Sequence, residues 1–132
     1  MLPFVLAALM VMQKELVIRH AKPIVIGAKP VTVTLNVSKA KAETFVLEVE
    51  GVHAAASPEF LVSVRAGDRE IGSIALYTFD QPQTFAFEVP RSAVKNGKLK
   101  LRFVPVSPLE GEKVRVASPV RISGLALSIE RR

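Results

Sequence analysis

The chain has 132 residues, 49% hydrophobic and 23% charged, which fits one folded domain and excludes a disordered chain. It has no cysteine, so disulfides, thiolate metal sites and cysteine nucleophiles are ruled out, while the compartment stays open. The net charge of +6 is uneven: residues 98–132 carry eight Lys or Arg against three Glu, and the remainder ten against nine.

The first twelve residues, MLPFVLAALMVM, are uncharged and apolar. They are too short to span a bilayer, which takes about 20 residues as a helix, so no membrane role is expected. They resemble the middle of a signal peptide but lack the preceding Lys or Arg and a clean cleavage site. Three readings stand: a segment packed on its own domain, a segment inserted into a neighbouring copy or domain, or a residual targeting piece. An exposed apolar run of this kind is an association liability, which makes Leu2, Phe4, Val5, Leu6 and Leu9 the candidate association segment. The domain organisation is therefore an apolar segment over 1–13 and a single β-domain over 14–132.

Lys14–Arg19 predicts a short strand, and Ile24–Ile26 another before Gly27. From Val31, Val33, Leu35 and Val37 alternate with Thr32, Thr34, Asn36 and Ser38, the period of a strand with one buried face. Phe45, Leu47 and Val49 repeat the pattern before Gly51, and Phe60, Val62 and Val64 repeat it before the turn at Ala66–Arg69. A further strand is expected over Ile71–Phe79. Phe85, Phe87 and Val89 form the next apolar set, and residues 90–97 hold one helical turn with Asn96-Gly97 as a hairpin signal. In Lys98–Phe103 the alternation is sharpest, with Leu99, Leu101 and Phe103 inward and Lys98, Lys100 and Arg102 outward. A short strand is expected at Lys113–Val116. In the last strand Val120 and Ile122 lie on one phase and Leu125, Leu127 and Ile129 on the other, which predicts a bulge at Gly124.

The sum is eight to ten short strands, no helix beyond one turn, and turn signals at regular spacing: an all-β antiparallel β-sandwich, jelly-roll or Ig-like. Nothing in it reads as an enzyme. His20 and His53 lie far apart with no Cys or third His to complete a zinc or copper site. No Gly-x-Ser-x-Gly frames a serine and no glycine-rich phosphate loop is present. Glu48 and Glu50 share an outward strand face and read as solvated, and Glu110 and Glu112 are too few for a calcium site. No cofactor, metal or small-molecule substrate is expected. The basic last third is either a solvated face or a docking face for an acidic partner, the candidate docking residues being Lys98, Lys100, Arg102 and Arg121. It lacks interleaved aromatics and any nucleic-acid motif, so nucleic acid is not the expected partner. A carbohydrate-binding sandwich would use aromatic platforms, for which a chain with no Trp and a single Tyr, Tyr77, is poorly equipped.

The order of the strands resembles the carboxy-terminal β-domain of tyrosinases and polyphenol oxidases, the domain named for a Lys-Phe-Asp-Val tetrad. Val46–Val52 ends in the step Glu50-Gly51-Val52, and Phe60–Val64 stands where the tetrad strand follows, with Arg65-Ala66-Gly67 at its turn. Ile71-Gly72-Ser73-Ile74 leads on to Phe79, and Phe103-Val104-Pro105 and Ile122-Ser123-Gly124-Leu125-Ala126-Leu127 are similar to the closing strands. The resemblance spans Val31 to Ile129. The tetrad itself is replaced by Leu61-Val62-Ser63-Val64, which loses both of its charges.

The resemblance implies a non-catalytic domain. In that family the copper centre, with six histidine ligands, lies in a separate helical domain, and the β-sandwich packs over its entrance and keeps the enzyme latent. This chain would be the shielding domain alone, as a stand-alone relative, an excised piece or an assembly subunit. The expected partner is a protein: a tyrosinase-like enzyme or, on the alternative of a self-associating structural subunit, another copy of the same chain.

Overall fold

The computed structural model describes residues 13–37, 41–76 and 78–131. The described residues form β1 (Gln13–His20), β2 (Ile24–Ile26), β3 (Val31–Asn36), β4 (Thr44–Val52), β5 (Leu61–Ala66), β6 (Arg69–Ile74), β7 (Gln83–Pro90), a single 3-10 turn (Arg91–Ala93), β8 (Val94–Lys95), β9 (Lys98–Val106), β10 (Val120–Ile122) and β11 (Gly124–Arg131). One sheet runs β1-β11-β4-β7. The other runs β3-β9-β5-β6, with β8 also paired to β9. β2 and β10 make a separate two-stranded ladder. All pairings are antiparallel. The fold is the expected antiparallel β-sandwich, with eleven strands among the described residues because β2, β8 and β10 are only two or three residues long.

The alternation read from the sequence decides which atoms meet between the layers. Phe45, Leu47 and Val49 of β4 and Leu125, Leu127 and Ile129 of β11 form the inner face of the first sheet. Leu99, Leu101 and Phe103 of β9, with Val62 and Val64 of β5, face them from the second and are fully buried. Ile24, Ile26, Val120 and Ile122 of the small ladder join the same core. Each larger side chain buried in this way contributes roughly 1.5–3 kcal/mol, which accounts for a stable core without disulfides or metals.

The hairpin into β9 follows its sequence signal. Asn96 and Gly97 adopt φ of 54° and 71°, the left-handed pair of a type I′ turn. The 3-10 turn falls inside the expected 90–97 stretch.

Two expectations need correction. Residues 113–116 are not a strand. Val114 and Val116 alternate with Lys113 and Arg115 as in a strand, yet Val114 packs on the core while Val116 is exposed, and the segment joins none of the described ladders. Its neighbour Ala117 donates instead to the carbonyl of Pro58, at 3.2 Å. The phase change at Ser123-Gly124 is real, but the device is not a bulge within one strand. The chain leaves β10, paired with β2, and enters β11, paired with β1 and β4. Both apolar sets point inward because the strand changes ladder between them. The bulge lies opposite, on β4, where the pairing with β7 shifts register between Val49 and Val52.

Gly51 makes that bulge possible. Its φ is +62°, and a Cβ there would lie 2.1 Å from Ser123 Oγ. Ser123 N–H donates to the Glu50 carbonyl at 2.8 Å, and Ser123 Oγ donates to the Gly51 carbonyl at 3.3 Å. Gly51→Ala is therefore expected to lower stability by about 2 kcal/mol or more in urea unfolding, from backbone strain together with the clash. Adding Ser123→Gly should recover the clash component and leave the strain; full recovery by the double variant would show that backbone conformation costs nothing there.

Candidate docking face on the five-stranded sheet

Because Leu99, Leu101 and Phe103 are buried without remainder, the intervening residues of β9 have only the outer face to occupy. Lys98, Lys100 and Arg102 are accordingly exposed in one row along a strand that is paired on both sides. The register sets their neighbours. Asn36, Thr34 and Thr32 of β3 stand opposite Lys98, Lys100 and Arg102. On the other side Lys95 of β8 faces Lys98, and Arg65 of β5 faces Arg102. Glu70 of β6 faces Arg65 in turn.

Two recesses open on this face. The larger, about 800 Å3, is lined by Lys95, Lys98, Lys100 and Arg69 with Asp68 as its one acidic wall. The smaller, about 540 Å3, has a different character. Leu61, Val104 and Val106 give it an apolar side, Arg65, Arg102 and Glu70 a charged one, and Ser63 and Ser73 lie between. Ser63 is only 6% exposed, and its Oγ has no hydrogen-bond partner among the described residues.

The four predicted docking residues thus divide. Lys98, Lys100 and Arg102 share one strand face, whereas Arg121 is exposed on β10, in a different ladder, where its backbone pairs with His53. The candidate association segment, Leu2, Phe4, Val5, Leu6 and Leu9, lies outside the described residues, as does Tyr77. Glu48 and Glu50 are half-buried on the outer face of the other sheet, and Glu50 forms an ion pair with Arg19 at 2.5 Å. With Arg19 half exposed, this pair adds little to stability. His53 Nδ1 lies 2.9 Å from the Gly51 carbonyl, so this histidine braces the β4 bulge. Among the described residues no group of three or more His, Cys, Asp or Glu is gathered to hold a metal ion.

Sequence reasoning missed Arg65, Arg69, Lys95 and Ser63. The Asn96-Gly97 turn was the available signal for Lys95, since a two-residue hairpin loop sets Lys95 against Lys98. The others depend on which strands lie beside β9, and period alone does not state that.

No family model matches the chain, and no curated protein matches it. Solved structures do. A family 35 carbohydrate binding module from an environmental isolate aligns with a TM-score of 0.50 at 15% identity, over 77% of this chain and 66% of that one. The CBM36-1 domain of a multidomain xylanase from the hindgut metagenome of Trinervitermes trinervoides aligns with a TM-score of 0.53 at 14% identity, over 88% of this chain and 95% of that one. The likeness is one of fold. At this identity it describes the sandwich and assigns no ligand.

The cationic row is exposed, so its charge is separable from the core. Lys98→Glu with Lys100→Glu is expected to change unfolding free energy by no more than about 1 kcal/mol, taking each exposed substitution as within ±0.5. A loss of several kcal/mol in urea unfolding would make the row structural.

Proposed function

We propose that the chain is a non-catalytic β-sandwich interaction domain that docks on a protein partner through the outer face of β3-β9-β5-β6. The partner in this reading is a tyrosinase-type copper oxidase, shielded by the sandwich. The observation that carries the docking face is the row Lys98, Lys100 and Arg102, set in the middle of a sheet and widened by Arg65, Arg69 and Lys95 against only Asp68 and Glu70. A field of one sign attracts an acidic surface, raises the association rate and fixes orientation. The choice of enzyme rests on the strand order and on the Glu50-Gly51-Val52 step. In the fold this step is the β4 bulge at which β10 gives way to β11.

The test is direct. Mixing the domain with a tyrosinase-type copper enzyme should lower its rate of phenol oxidation, and the two should co-elute. Raising salt should weaken the effect, since exposed charges are screened beyond about 8 Å at physiological ionic strength. The triple variant Lys98→Glu, Lys100→Glu, Arg102→Glu should weaken the inhibition roughly tenfold or more. Separate elution with unchanged oxidation would sink the reading.

One observation favours a second reading, glycan binding: both solved structures aligned above are carbohydrate-binding modules. Against it, the exposed large apolar residues among those described are Leu16, Val25, Val106, Leu109 and Val116, all aliphatic, where sugar platforms use flat rings. Binding on a glycan array would favour it over the protein partner.

A further inference from the structure

The smaller recess carries two features that the sandwich alone does not account for. Arg65 and Arg102 are direct cross-strand partners, and like charges set opposite each other destabilise a ladder. Glu70, across from Arg65 on β6, balances one of them and leaves one positive charge. Two residues from Arg65 on the same face, Ser63 is more than nine-tenths buried with an unpartnered Oγ. A buried hydroxyl left unmade costs about 1–3 kcal/mol, and natural proteins rarely keep one without use. Both costs fall to the same remedy: an anionic acceptor placed between the guanidinium of Arg102 and the hydroxyl of Ser63.

We infer that this recess is a carboxylate subsite, which takes an Asp or Glu side chain of a docked protein segment. The inference rests on the docking reading above and names the group that would be recognised. Arg102 donates to the carboxylate through its planar fork, the geometry that suits guanidinium to carboxylate. Ser63 Oγ donates to the same group. The apolar side of the recess, Leu61, Val104 and Val106, defines the neighbour: an aliphatic side chain next to the acid in the bound segment. A free sulfate or phosphate would satisfy the charges but leave that apolar wall unused, and this selects a peptide.

The test uses the whole chain, 15N-labelled, with two blocked pentapeptides, Ala-Leu-Glu-Leu-Ala and its Gln analogue, and inorganic phosphate as a competitor. The Glu peptide should shift amide signals within 61–65, 70–73 and 102–106, and the Gln peptide should not. Ser63→Ala should weaken binding about five- to tenfold while leaving the melting temperature unchanged or raised, because the orphaned hydroxyl is gone. Arg102→Ala should weaken it roughly tenfold or more. A lowered melting temperature with unchanged affinity in Ser63→Ala would make the hydroxyl structural and overturn the assignment. So would equal response to the two peptides, displacement by phosphate at equal concentration, or shifts confined to other strands. If the Glu peptide binds here while the copper enzyme does not co-elute, the enzyme reading falls and the subsite stands. If the enzyme co-elutes while the Glu peptide does not bind, the subsite falls and the enzyme reading stands.

Discussion

The pleat of β9 is the constraint on which the rest of the molecule depends. Successive residues of a strand point to opposite faces, and this strand alternates without a break from Lys98 to Phe103. Its inward half, Leu99, Leu101 and Phe103, fills the middle of the core with no exposure at all. A one-residue slip would bury three cations and expose three large apolar side chains, so the register is fixed by far more than hydrogen bonding. The same rigidity that secures the core fixes the outward row of Lys98, Lys100 and Arg102. Core and candidate site are two faces of one strand.

The second organising element lies at the opposite layer. β4 bulges at Gly51 where β10 gives way to β11, and the two irregularities meet through Ser123 and the carbonyls of Glu50 and Gly51. A strand that changes ladder must turn its apolar residues inward twice. Here Val120 and Ile122 face in with β2, and Leu125, Leu127 and Ile129 face in from the ladder with β1 and β4. The substitution-intolerant space around Gly51 is thus a consequence of topology, and His53 supports it from the side.

The fold class was legible in the sequence because its signals are local. Period-two runs at Val31–Val37, Phe45–Val49 and Lys98–Phe103, and the Asn96-Gly97 turn, each state their own geometry. Signals that depend on distant strands were not legible in the same way. Val114 and Val116 carry a strand period without a sheet edge to join, and the slip at Gly124 signalled an irregularity whose form depended on strands far away in sequence. The row on β9 was readable because its alternation is local. The recess around Ser63 was not, since it exists only because β5 lies beside β9 in a register that sets Arg65 against Arg102 and Ser63 against Val104. Arg121 shares the basic third of the sequence with the row but not its surface, because charge counted along a chain ignores the ladder into which each strand is placed.

On the proposed reading, the outer face of β3-β9-β5-β6, cationic along the β9 row and part apolar around Ser63, takes a protein segment that alternates acidic and aliphatic side chains. The measurement that tests this most directly is amine-reactive footprinting of the domain with and without the tyrosinase-type copper enzyme. Docking through this face should protect Lys98 and Lys100 while the exposed Lys22, Lys29 and Lys113 label as before. Protection confined to those three, with Lys98 and Lys100 still reactive, would contradict it.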